Sequence, residues 1–260
     1  MKTEHLILYR NMEYQNLLEE MDAALETGGM SGDVWSLANQ LIELASKYGF
    51  EGNLWHCFLA LCIANHENAY SISCEIRGQA GGSLDALARE DFAIFKELFD
   101  YDIRSLGGAV WELLSCYRPA QADSRVFNRR IRDRIVNLAV QLEKSRNPGE
   151  FQIHAAEFYR EFGVGKFGLN KAFRIVEREE DHQVVIDPII NVEHVYLKDL
   201  VGYELQKKKL VENTEAFLAG KEANNVLLFG DAGTGKSSSV KAVLNEYYGR
   251  GLRMIEVYKH

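Results

Sequence analysis

The 260-residue chain has no apolar run long enough to cross a bilayer. Its longest, around Trp55–Ala64, is about half of the span a membrane helix needs. It has little cysteine: Cys57, Cys62, Cys74 and Cys116 show no CxxC spacing. A disulfide framework is therefore not expected, and Cys57 and Cys62 read as reduced core residues. Of His56, Cys62 and His66, the first two are six apart and so do not share a helix face, and no second pair completes a set, which argues against zinc. The opening MKTEHLILYRNMEY is interrupted by Glu4, His5, Arg10 and Glu13, so it lacks the apolar stretch of a signal peptide, and a cytoplasmic location is expected. Basic excess is missing too. Against 30 Lys and Arg stand 38 Asp and Glu, a net charge of −8, which excludes a general nucleic-acid binder. The one basic concentration, Arg125–Arg134, places Arg125, Arg129 and Arg132 on one helix face, where pairing with acidic neighbours is the expected role. There is no repeat of fixed period, no GxSxG and no HExxH.

What is present begins with helices. Hydrophobic content of 47% supports a substantial core, and the length has room for two domains. Residues 1–162 read as a helical bundle. Leu17, Met21, Ala24 and Leu25 form one stripe ended by Gly28-Gly29; Val34, Ala38, Leu41, Ala45 and Tyr48 form a second ended by Gly49. Leu54 to about Asn68 is apolar nearly all round and is expected at the centre. Further helices are predicted after Gly81-Gly82, with Ser83 as N-cap, and over Ala109–Tyr117, Ser124–Ser145 and Glu150–Phe162. Residues 163–194 read as a connector with short strands at Phe173–Val176 and Val184–Ile190. Within it Gly163-Val-Gly-Lys-Phe-Gly168 fits GxGxxG but follows a helix instead of a strand, so a glycine-rich connector is preferred to a dinucleotide site. The charge run Glu177–Asp181 reads as a solvated turn.

Residues 195–260 carry the most specific motif. Gly230-Asp231-Ala232-Gly233-Thr234-Gly235-Lys236-Ser237 fits G-x-x-x-x-G-K-[ST]. Its glycines permit turns in which successive amides face a polyphosphate, and Lys236 brings a point charge to the outer phosphates. Ser237 is the expected Mg²⁺ ligand, and Ser238 follows in the first helical turn. Val226–Phe229 is predicted to be a buried strand feeding this loop, and Val240, Val243, Leu244 and Tyr247 a helix leaving it. Leu252–Tyr258 is predicted as a further strand that pairs with Val226–Phe229, hangs as an edge, or borrows a partner from another molecule.

The segment LKDLVGYELQKKKLVENTEAFLAG followed by VLLFGDAGTGKSSSVKAVL resembles the start of an AAA+ ATPase module. With FYREFGVGKFGLNKAFRI it is similar, over about residues 150–260, to a bacterial family of predicted ATP-binding proteins of unknown function. The resemblance implies a mainly α-helical N-terminal domain followed by the beginning of an α/β P-loop NTPase (AAA+) domain. It also implies ATP and Mg²⁺ as cofactors, with Val201, Gly202 and Tyr203 lining the adenine. It further implies an intact parent that hydrolyses ATP as a homo-oligomer, its helical domain binding a protein partner. The strand ending in Asp-Glu, the sensors, the arginine finger and the lid of that superfamily do not occur between Ser237 and His260. The chain is therefore expected to be a truncated form that binds nucleotide weakly without hydrolysis. Arg250 and Arg253 lie too near the loop to act as fingers. The alternative is a helical scaffold or nucleotide-sensing protein; a P-loop small-molecule kinase fits poorly with a large helical domain ahead of the loop.

Overall fold

The computed structural model describes residues 2–30, 33–119, 128–177, 183–189 and 192–258. The chain divides into two compact units, Met1–Leu169 and Asn170–His260, so the stretch 163–194 is shared between them.

The first unit is helical. Its elements are α1 (Gln15–Thr27), α2 (Val34–Tyr48), α3 (Leu54–Asn65), α4 (Ala69–Arg77), α5 (Gly82–Asp100), α6 (Gly108–Ser115), α7 (Arg129–Lys144), α8 (Pro148–Phe162) and the short α9 (Gly165–Leu169). Small polar side chains start these helices by satisfying amides that the first turn leaves without partners. Asp33 caps α2, and Asn53, Asn68, Asn128 and Asn147 cap α3, α4, α7 and α8. Gly28, Gly49 and Gly78 close α1, α2 and α4 in the left-handed conformation.

Every residue from Leu54 to Ala64 is buried, so the all-round apolar helix does run through the middle of the bundle. Around it Phe92, Phe95, Trp111, Phe151 and Tyr159 pack with its own Trp55 into one continuous core. Two buried carboxylates pin the N-terminal segment to it. Asp91 accepts the amides of Ile7, Leu8 and Tyr9 at 2.7–3.0 Å, and Asp22 accepts the Thr3 amide and hydroxyl at 2.9 Å.

Several boundaries differ from expectation. α4 is an additional helix, marked by the Asn68–Ser71 capping box. Ser83 is not a cap, because α5 begins at Gly82 after Gly81 with no side-chain cap. Asn147-Pro148-Gly149 opens α8 as well as following α7, with Asn147 bonded to the Glu150 amide. The predicted start of α7 at Ser124, and Arg125 with it, lie outside the described residues, as do 178–181 of the charge run.

The second unit holds a three-stranded sheet in the order β2-β1-β3, from β1 (Ala172–Glu177), β2 (Val184–Pro188) and β3 (Met254–Glu256). β1 pairs antiparallel with β2, Ile175 opposite Ile186, and parallel with β3, Phe173 opposite Ile255. Pro188 is tolerated because β2 is an edge strand. Two helices complete the unit, α10 (Glu204–Leu218) and α11 (Lys236–Tyr247). Its buried apolar cluster is small: Ala172, Val192 and Leu244, with Ile189, Leu252 and Met254 half-buried against them.

The C-terminal strand thus takes a neighbour that none of the three expected arrangements named. It pairs with β1. Val226–Phe229 is a second correction: it carries no regular secondary structure and joins no sheet among the described residues, and Leu227 and Phe229 are 83% and 87% exposed. The apolar run has the composition of a strand, but the sheet runs β2-β1-β3 and neither edge strand pairs with it among the described residues. No helix among the described residues is long and apolar enough to cross a membrane.

Candidate functional site: the glycine turn ahead of α11

α11 is a 12-residue helix held from its inner side. Ala242, Val243 and Leu244 are buried. Asn245 donates to the carbonyls of Glu193 and Val195 at 2.9 and 2.8 Å, accepts from Lys171, and Lys241 reaches the Glu193 carboxylate at 2.9 Å. At the far end Tyr247 bonds Glu215 at 3.0 Å, and the Arg253 guanidinium lies 4.2 Å from the Tyr248 ring centre. These contacts fix the direction in which the helix N-terminus points.

That N-terminus carries the motif. Gly230, Gly233 and Gly235 have φ of 142°, 81° and 79°, a region open to glycine and strained for residues with a Cβ. No atom crowds Gly233 or Gly235, so glycine serves the backbone angle there and not the space. Gly235 sits at the N-cap in the left-handed conformation; no side chain caps α11 and no acidic residue occupies its first turn. The positive end of the helix is therefore left uncompensated by protein groups.

Lys236 folds back into the turn. Its Nζ donates to the Gly230 and Asp231 carbonyls at 2.8 and 2.6 Å and approaches Thr234 Oγ1 at 3.3 Å. Thr234 Oγ1 in turn donates to the Asp231 carbonyl at 2.9 Å, and Ser239 closes the first turn onto the Gly235 carbonyl through its amide at 2.8 Å and hydroxyl at 2.9 Å. Asp231, Ala232, Gly233 and Ser237 are exposed, while Thr234, Gly235, Lys236 and Ser238 are half-buried.

The turn and the lysine are hydrogen-bonded to each other. Val201 is 94% and Tyr203 60% exposed. Gly202 and Tyr203 have φ of 81° and 58°, Tyr203 forming the left-handed N-cap of α10. No hydrogen bond or ring contact joins Val201–Tyr203 to Gly230–Ser238 among the described residues. Arg250 pairs with Glu215 at 3.4 Å, and Arg253 bonds the carbonyls of Tyr248 and Leu252.

Other sequence-level sites resolve as structural. His56 Nε2 pairs with the Phe99 carbonyl at 2.9 Å and His66 Nε2 with the Leu8 carbonyl at 3.0 Å. Cys57, Cys62 and Cys74 are buried free thiols, and burial pushes the Cys57 thiol up to about 12. No group of metal-ligating side chains occurs among the described residues. Arg132 pairs with its neighbour Asp133, and the Arg134 guanidinium lies over the Phe162 ring. The GxGxxG segment is a packing device. A Cβ on Gly168 would come within 2.4 Å of the Gly163 carbonyl carbon, and one on Gly165 within 2.2 Å of the Glu67 carboxylate. Glu75 accepts the Val164 amide at 3.1 Å. Sequence reasoning missed these two glutamates, because nothing local announces a carboxylate arriving from 89 residues away.

Residues 169–260, the whole second unit and Leu169 before it, match the model of a family described as a protein of unknown function (DUF815). The match leaves α1–α8 outside it and begins later than the residue near 150 from which the resemblance was expected to run. No curated protein and no solved structure matches the chain.

Proposed function

We propose that the second unit binds the polyphosphate of a nucleotide, ATP, in the turn Gly230–Ser237. The observation that carries this is a glycine turn with three positive-φ glycines that opens into an uncapped helix N-terminus and holds the motif lysine inside it. Orphan amides and the helix dipole favour an anion there. An ammonium has three N–H donors. Two of them engage carbonyls at 2.8 and 2.6 Å, while the third meets only the longer 3.3 Å contact to Thr234, so that donor is the one released to a phosphate oxygen. The turn is pre-assembled around its cation, which lowers the ordering cost of binding.

Mg²⁺ fits as a companion of the phosphates and not as a resident ion. The protein offers the exposed Ser237 hydroxyl, which has no partner among the described residues, and Mg²⁺ ordinarily completes its shell with phosphate oxygens and water. Ser237 would hold it; the ion would neutralise charge between the outer phosphates. The AAA+ reading rests on the resemblance of 197–244, with Val201, Gly202 and Tyr203 as the base-facing segment. No carboxylate or imidazole hydrogen-bonds to Gly230–Ser238 among the described residues, so the proposal is binding and does not extend to hydrolysis.

Titration calorimetry with ATP, ADP and inorganic triphosphate tests it. We expect Mg-ATP to bind, and Lys236→Ala to weaken it by at least about tenfold without changing the fold. Equal affinity of ATP and inorganic triphosphate would remove the 201–203 segment from the site. No binding, or binding indifferent to Lys236, would sink the proposal.

A further inference from the structure

We propose that the first unit binds a small zwitterion of the amino-acid type in a cleft between α4, α5 and α8, its carboxylate set against Arg89 and Arg160 and its ammonium against Glu157. This is independent of nucleotide binding, whose motif lies in the other unit.

The cleft has a volume of about 500 Å³, a size that small-molecule sites commonly have. Its floor is polar and buried: Tyr70 is 1% and Gln152 5% exposed, and both line it. Gln152 is held at both ends of its amide. Nε2 donates to the Asp85 carbonyl at 3.0 Å, and Oε1 accepts from Arg89 Nε at 3.1 Å. That grip spends only the Nε–H of Arg89 and leaves its terminal nitrogens to other acceptors, one of them 3.7 Å from Asp85. A guanidinium already ordered by a buried partner loses less freedom when it meets a carboxylate.

The second cation is placed by shape. The Arg160 stem passes over Gly78, where a Cβ would lie 3.3 Å from Arg160 Cδ, and Gly78 has a φ of 78°. Arg160 makes no ion pair or hydrogen bond among the described residues. Two carboxylates share the cleft with it. Glu150 accepts the Arg146 amide at 2.9 Å, while Glu157 has only His154 Nδ1 near it, at 3.7 Å. Glu157 and Arg160 stand one turn apart on α8, neighbours by helical spacing, yet are not joined to each other.

These charges select the ligand. Asp85 offsets Arg89, and Arg160, Glu150 and Glu157 remain. A simple anion would be opposed by the two glutamates, and a simple cation by the two arginines. A molecule with both charges on adjacent atoms meets Arg160 and Glu157 together, and charge-assisted hydrogen bonds to both ends reject analogues that lack either. Ile153 and Ala156, on the same face of α8, give the remainder of the molecule an apolar surface.

Calorimetric titration of the full chain with each of the twenty L-amino acids tests the proposal. We expect at least one to bind with a Kd below about 1 mM. Its deaminated carboxylic acid and its decarboxylated amine should each bind at least about tenfold more weakly, a comparison made on the wild-type chain and free of any folding defect. Arg160→Gln should weaken binding at least about tenfold, and Arg160→Lys less, because an ammonium keeps the charge and loses the fork. Arg160 is exposed, so both variants should keep the circular dichroism of the wild type. Binding of none of the twenty, affinity unchanged in Arg160→Gln, or an acid or amine analogue that binds as well as the amino acid would each overturn the proposal.

Discussion

In Met1–Leu169 the side chains of Trp55, Trp111, Phe92 and Tyr159 are at most 1% exposed, whereas in Asn170–His260 Leu227, Phe229 and Val201 stand 83–94% exposed. Both units draw on similarly apolar stretches. The difference is closure: α3 is wrapped by helices, while Val226–Phe229 has the composition of a core strand and pairs with no strand among the described residues. Apolar sequence stabilises only where its geometry is completed, and surface left uncovered becomes an interaction property.

The largest expected contrast is in hydrogen exchange. In dilute solution the amides of α3 should exchange at least about a thousandfold more slowly than those of Val226–Phe229, which lack both hydrogen bonds and cover. Comparable protection in the two regions of the dilute protein would erase the distinction.

Point substitutions sharpen it. All three tryptophans, Trp35, Trp55 and Trp111, lie in the first unit, so their fluorescence follows its unfolding alone. Phe92→Ala, at 0% exposure and in ring contact with Tyr9, Tyr70 and Phe151, should cost about 3–5 kcal/mol; Leu227→Ala should stay within about 0.5 kcal/mol. Asp91→Ala leaves three amides without their acceptor, that of Tyr9 buried and those of Ile7 and Leu8 part-buried, and should cost about 2–3 kcal/mol, with Asp91→Asn in between, because one amide oxygen remains to accept. A Phe92→Ala loss no greater than that of Leu227→Ala would show the first unit to be loosely packed. Gly168→Ala should cost about 1–3 kcal/mol through its clash with Gly163 and leave ATP affinity unchanged, separating the two glycine motifs by experiment.

Helix positions were largely readable, because periodicity, asparagine and aspartate caps and glycine stops are local signals. The four predicted stripe residues of α1 are all buried, and the all-round apolar α3 is central. α4 escaped notice because AYSISCEIR buries Tyr70, Ser71 and Cys74, a mixed set with no apolar stripe. The sheet was not readable in its pairing: Ala172 meets Met254 across 82 positions, and no local pattern encodes a partner that distant. In the candidate site the turn glycines and Lys236 follow from the motif, but the fold-back of Nζ onto two carbonyls and the exposure of the preceding segment do not.

The smallest expected effect concerns pH and belongs to the first unit. Burial lowers the His56 pKa, opposed by Glu143, the Phe99 carbonyl and Asp100, while Lys96 adds to the lowering. Burial likewise lowers that of His66, opposed by the Leu8 carbonyl, Glu67 and Asp91. A histidine whose folded pKa lies below its unfolded value binds its proton more readily when unfolded. Its contribution to stability is therefore complete above the unfolded value of about 6.5 and is lost as pH falls below it. Urea midpoints followed by tryptophan fluorescence should be flat from about pH 8 to 7 and decline from about 6.5 towards 5, before most carboxylates titrate. His56→Gln and His66→Gln keep a side-chain donor for the Phe99 and Leu8 carbonyls while removing the titration, so each should flatten part of that decline. An unchanged slope in the double variant would assign the pH response to other groups and leave both imidazoles as packing residues.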